Sequence, residues 1–277
     1  MRKVSHFLQH ASAVVLLTVL TQVGGIVYLL HLPLAAAIRK RVPRRRFSLP
    51  VRLLTFLALL TVVSTLVLPP LAKRFQGRVP LPLYATDATP LQPANWFTVL
   101  ANRHYVRPAL YELASSTARG VARERPGTRV TYLDGNFPFL NGFPLLPHLS
   151  HDDGRKLDLA LLYQDDEGRP ANGSPTYFGY GHYEGPGPGE KNRTAKCLLA
   201  GYWQYDFTKY LAWFPADDRF DAAGTRLLLR ALHEKPATGK ILLEPHLKVR
   251  LNLSDYGKIR FHGCQAVRHD DHIHVQL

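Results

Sequence analysis

The sequence predicts an α+β chain in which two N-terminal transmembrane helices precede a domain with a mainly antiparallel sheet. Three observations lead there. Two long stretches near the N-terminus carry no charged residue. Beyond residue 95, short runs rich in β-branched and aromatic residues outnumber the stretches with helical spacing. Histidine, finally, is concentrated in two tight groups more than a hundred residues apart.

The first uncharged stretch runs from Ala11 to Ile38 and the second from Leu53 to Leu71, and each meets the roughly 20 residues that a bilayer core requires. They are read as membrane spans at about 11–38 and 53–71. The basic start Met1-Arg2-Lys3 would also suit a secretory signal, but the first apolar run exceeds the usual signal core of about 7 to 15 residues. Between the spans lies Arg39-Lys40-Arg41-Val42-Pro43-Arg44-Arg45-Arg46. The positive-inside rule places this loop in the cytoplasm, with both chain ends and the domain on the periplasmic or extracellular side of a cell (inner) membrane. Membrane lipid, anionic lipid at this loop in particular, is the partner it implies; a plain solvated loop fits the same topology.

This anchor absorbs the charge. Twelve of the 35 Lys and Arg and none of the 21 Asp and Glu precede residue 79, which leaves the remainder at +2. Nucleic-acid binding by counterion release needs a basic face, so nucleic acid is excluded as a partner. The hydrophobic content of 46% excludes disorder.

The organisation expected is residues 1–74 as membrane anchor, 75–94 as an extended Pro-rich linker, and 95–277 as the domain. Trp96 to Arg119 has helical spacing interrupted by Pro108, hence two helical pieces. Strands are expected at Arg129 to Leu133, Lys156 to Tyr163, Lys240 to Leu243, Lys258 to Phe261 and His272 to Leu277, and a helix over Arg226 to Glu234. Gly179 to Gly189 is too rich in glycine and proline for a regular element. It is either a surface connection or a loop bordering a groove, to which Tyr180 and His182 would bring contacts. Cys197 and Cys264 are the only cysteines; an oxidising compartment permits a disulfide, and buried free thiols remain open.

Chemistry concentrates in the histidine groups. In the first, His148-Leu149-Ser150-His151-Asp152-Asp153-Gly154-Arg155-Lys156-Leu157-Asp158, the Asp-Asp-Gly turn can fold His151 back beside Asp158. An imidazole and a carboxylate so placed are acceptable Zn²⁺ ligands. In the second, His269-Asp270-Asp271-His272-Ile273-His274, a strand would point His272 and His274 to one face and Ile273 to the other. One imidazole can complete a set of three ligands that leaves a position for water, while the other handles protons. A histidine pair at i, i+2 with no metal, and an Asp158 that caps a backbone amide, account for the same residues one at a time.

Ser150 to Asp158 resembles the Ser-His-x-x-Gly-x-x-x-Asp motif of the metallopeptidase group that includes lysostaphin-type endopeptidases, D-Ala-D-Ala metallopeptidases and hedgehog domains. His272-Ile273-His274 resembles that group's His-x-His motif. The penicillin-insensitive murein endopeptidase branch is similar in a further respect, a histidine three residues before each motif, here His148 and His269. This resemblance implies His151, Asp158 and His274 as zinc ligands, His272 as the catalytic histidine acting on water, His269 as a catalytic group able to stabilise an oxyanion if protonated, and His148 as a substrate contact. It implies peptidoglycan stem peptides as substrate and cleavage of a D-alanyl bond in a cross-link. The Glu-x-Trp-His signature of D-Ala-D-Ala metallopeptidases is absent, which favours an endopeptidase over a D,D-carboxypeptidase of the same group. A catalytically silent, membrane-anchored wall-binding module is the alternative outside enzymes.

Overall fold

A computed structural model describes residues 2–277, without the side chains of Arg2 and Lys3, so the charges of the basic start lie outside what is described. The apolar N-terminal region is not two helices but three. Helix α1 (Arg2–Thr21) ends at Gln22, whose φ is +66°, and α2 (Gly24–Arg41) runs back along it. The third, α3 (Arg45–Gln76), is continuous apart from one π-type turn at Val63–Val67. The expected single span over 11–38 is therefore broken in the middle.

The cause of the break is local. Thr21 Oγ1 accepts a hydrogen bond from Gly24 N at 2.6 Å and so starts α2. Gly24 and Gly25 carry no Cβ, and one on Gly25 would collide with the Val14 carbonyl and Thr18 Oγ1 of α1. The antiparallel packing is fixed by His10 against Tyr28 between α1 and α2, and by His31 against Thr55 between α2 and α3. The start of α1 and the basic loop 39–46 consequently share the end of the bundle remote from the domain, which overturns the placement of both chain ends on one side. Two helices, over Val4–Thr21 and Arg45–Gln76, are long and apolar enough to cross a membrane.

Nor is the stretch 75–94 a free linker. Val79–Pro80 pairs with Tyr105–Val106, Leu81 and Leu91 are buried in the main core, and Arg78 is fully buried. The Arg78 guanidinium donates to the carbonyls of Phe137, Phe139 and Asp152 and to Asn141 Oδ1. The helices are further joined to the domain by Gln22, which exchanges two hydrogen bonds with the Phe139 backbone, and by Asn102, which donates to the Thr21 carbonyl.

The domain's central sheet has strands β1 (Leu91–Pro93), β2 (Val130–Tyr132), β3 (Lys156–Ala160), β4 (Lys240–Leu242), β5 (Ile259–Arg260) and β6 (His272–Gln276). Their spatial order is β5-β4-β6-β3-β2-β1. The sheet is mixed rather than mainly antiparallel: β1/β2 and β4/β5 are parallel. Parallel neighbours need a crossover, usually helical. Here the first crossover contains α4 (Pro108–Glu124) and the second the short helix Pro245–Arg250.

One face of the sheet makes the core. Leu157 and Leu159 of β3 and Ile273 and Val275 of β6 alternate inward and pack with Leu110, Leu113 and Val121 of α4 and with Leu228 and Leu232 of α5 (Ala222–Glu234). The opposite face of the same strands therefore presents Asp158, His272 and His274. Cys197 and Cys264, left open above, are joined in a disulfide.

Candidate metal centre

Strands β3 and β6 are antiparallel and in a register that sets His274 directly opposite Asp158 and His272 opposite Ala160. His151 arrives from the turn before β3. Gly154, at φ +81°, turns the chain there, and Arg78 and Arg107 hold the turn through the carbonyls of Asp152 and Asp153.

The three expected ligands converge. His274 Nδ1 lies 2.8 Å from Asp158 Oδ1, His151 Nε2 lies 3.3 Å from the same oxygen, and the two nitrogens are 3.1 Å apart. In a tetrahedral site with bonds of about 2.0–2.1 Å, ligand atoms sit roughly 3.3 Å apart. The electronic arrangement fits an ion as well. His151 Nδ1 lies 2.7 Å from the Gly135 carbonyl, which only accepts, so the proton is on Nδ1 and Nε2 offers its lone pair toward a carboxylate. A lone pair facing an anion in a buried site calls for a cation or a proton between them. His151, Asp158 and His274 are all buried and near enough to hold a metal ion.

The surrounding groups fix this trio. Tyr180 Oη lies 2.9 Å from Asp158 Oδ2 and 3.0 Å from Asp134 Oδ2, so its single proton serves either carboxylate. Asp134 is gripped by Arg103 through Nε at 2.5 Å and Nη2 at 2.7 Å. His272 donates a hydrogen bond from Nδ1 to the carboxylate of Asp271. Asp271 Oδ2 accepts from Gly181 N at 2.7 Å and Thr208 Oγ1 at 3.1 Å. A Cβ on Gly181, whose φ is +86°, would strike the Thr208 carbonyl, so glycine is required there.

Charge follows burial and neighbours. Burial alone would raise the Asp158 carboxyl, but the imidazoles of His151, His272 and His148 outweigh it and hold the group well below the usual range. Burial pushes His274 and His148 down to about 4, so both imidazoles are neutral near pH 7. At His272 burial acts downward too, but Asp271 and Asp158 override it and push the group up to about 9.

A cavity of about 530 Å³ opens beside the cluster, lined by His148, His269 and His274 together with Trp203, Phe207 and Lys240. His148, expected as a substrate contact, lies on the wall of this cavity. His269 lines the cavity too, and burial beside His272 and His274 holds it well below its ordinary value, which opposes the protonated form considered above. Tyr180 is buried and braces Asp158 instead of lining this cavity. His182 stacks edge-on against Tyr163 near Glu184, outside the cavity lining. Asp134, Arg103 and the Gly135 carbonyl were not singled out from the sequence, where no motif marks them; Asp271 was visible only as the neighbour of His272. No family model and no curated protein matches this chain.

Proposed function

We propose that this chain is a membrane-anchored zinc peptidase of the cell wall, a murein endopeptidase that cleaves a D-alanyl bond in cross-linked stem peptides. The observation that carries the reading is the convergence of His151, Asp158 and His274, from two distant motifs, on one buried point beside an open cavity. The spacing of those motifs, with His148 and His269 ahead of them, supports the peptidase class. Exposed Phe7, Leu16, Leu53 and Leu54 on the helices support contact with lipid. Placing the basic loop 39–46 in the cytoplasm puts the domain, at the other end of the bundle, outside.

Zinc held by the triad would polarise a peptide carbonyl and render water acidic enough to react near neutral pH. The chain's own groups do the rest. Asp271 keeps the His272 proton on Nδ1, leaving Nε2 bare to take a proton and return it to the leaving amine. The positive charge of an ion at Asp158 opposes the carboxylates that raise His272 and so favours this bare form. Neutral His148 and His269 are available to hydrogen-bond substrate at the cavity wall.

A D,D-carboxypeptidase reading has one observation in its favour. Lys240 lines the cavity without an acidic partner among the described residues and would suit a terminal carboxylate. The deciding experiment uses the full chain in detergent, incubated with purified muropeptides with zinc and then with chelator, and weighs the products. Chelator-sensitive conversion of cross-linked dimer to monomer is expected. Loss of a single terminal D-alanine would favour the carboxypeptidase, and untouched substrate with zinc-loaded protein would refute both.

A further inference from the structure

We propose that the cluster contains a second divalent-metal position, formed by His148, Asp158 and His272 and sharing the Asp158 carboxylate with the first, and that an ion there silences His272. The inference rests on the reading of His272 as the base.

The Asp158 carboxylate is divided between two pairs of imidazoles. Oδ1 faces His274 Nδ1 and His151 Nε2 at 2.8 and 3.3 Å. Oδ2 faces His148 Nδ1 at 3.3 Å and His272 Nε2 at 3.9 Å. In each trio the ligand atoms lie within 4.8 Å of one another and every residue is buried. A carboxylate that offers one oxygen to each of two ions is the bridge found in two-metal sites.

A separate observation points to a ligand at the second trio. His272 Nε2 is completely buried and has no hydrogen-bond partner among the described residues, although Asp271 fixes the proton on the other nitrogen. A buried ring nitrogen that lies 3.9 Å from a carboxylate oxygen and makes no hydrogen bond is an exception that requires explanation. His148 is equally free, because its Nε2 has no partner and no hydrogen bond fixes its tautomer among the described residues. Oδ2 itself can be released for an ion, since the Tyr180 proton can turn to Asp134 instead.

The two positions are unequal. The second trio is looser, and an ion entering it meets the charge of the first across a single shared carboxylate. It therefore fills only after the first and at higher metal concentration. When it fills, it occupies the one nitrogen with which His272 could take a proton. Turnover then falls by what general-base catalysis contributes, about 10²–10⁴-fold. Excess metal becomes a brake on the same site that a first ion activates.

The test is metal content as a function of free zinc, on the full chain in detergent, by equilibrium dialysis and elemental mass spectrometry, with muropeptide turnover measured in parallel. Expected are one tightly held ion, then a second whose uptake coincides with loss of turnover. Cobalt in place of zinc should show magnetic coupling at two ions per chain, because a shared carboxylate joins them. His148→Gln should stop at one ion. A plateau at one ion in the unaltered protein overturns the second position and leaves the first intact. Uptake of two ions without coupling, or with the second retained in a folded His148→Gln variant, also overturns it. Absence of even one tight ion would remove the proposed function as well.

Discussion

Asp134→Ala removes one member of a buried pair without altering any of the three candidate metal ligands. Asp134 and Arg103 have side chains only 5% and 10% exposed and are joined by two short hydrogen bonds. Loss of the carboxylate strands the guanidinium, and breaking a buried pair in this way costs about 3–5 kcal/mol. Arg103 Nη2 keeps the Leu146 carbonyl at 2.8 Å, which argues for the lower end, about 3 kcal/mol. For a domain of this size each kcal/mol lowers the melting temperature by about 2–4 °C, giving a fall of about 6–12 °C. Near-ultraviolet circular dichroism of the detergent-solubilised chain reads it directly. The same change takes the hydroxyl of Tyr180 from one of its two acceptors, so zinc affinity should also drop about 10–100-fold. Replacing both partners, Arg103→Met with Asp134→Leu, should recover most of the stability but not the affinity. A single variant that melts within about 2 °C of the unaltered protein would show that the pair is not the brace described.

The remaining predictions concern the ligands and a histidine remote from them. His274→Ala should lose both bound zinc and turnover, whereas His272→Ala should retain tightly bound zinc and lose about 10²–10⁴-fold in turnover; normal hydrolysis by the second variant would show the assignment of roles to be wrong. His104 is fully buried and burial lowers it from 6.5 to about 4, so the folded protein resists its protonation. Its contribution is complete above about pH 6.5 and disappears as the pH falls toward 4, about 3 kcal/mol in all. His104→Gln should therefore flatten the pH dependence of the melting temperature between pH 7 and 4.5, and parallel curves for the two proteins would contradict this.

What the sequence revealed and concealed follows the range of the interactions. The alternation of His272, Ile273 and His274 and the turn at Asp152-Asp153-Gly154 are local, so the candidate ligands were legible. The register that sets His274 against Asp158 is not, and it alone turns two motifs into one centre. Asp134, Arg103 and Tyr180 act through contacts across 22 to 46 residues and leave no local mark of that role. The break at Gln22 was hidden because a run without charge reads as one span, although Gly24-Gly25 offered the cue. Proline at positions 80, 82, 90 and 93 suggested a tether, yet Leu81 and Leu91 found buried partners that no window could reveal. The parallel edges of the sheet were missed for the same reason: the β1/β2 pair uses a strand inside that supposed tether.

The many bonds that seat the domain on its helices set a working height. A body held by Arg78, Gln22 and Asn102 has no slack chain between it and the helices, so with the bundle in a bilayer the cluster would keep a fixed distance from that surface. Moving the cluster farther from that surface would then require lengthening the helices themselves.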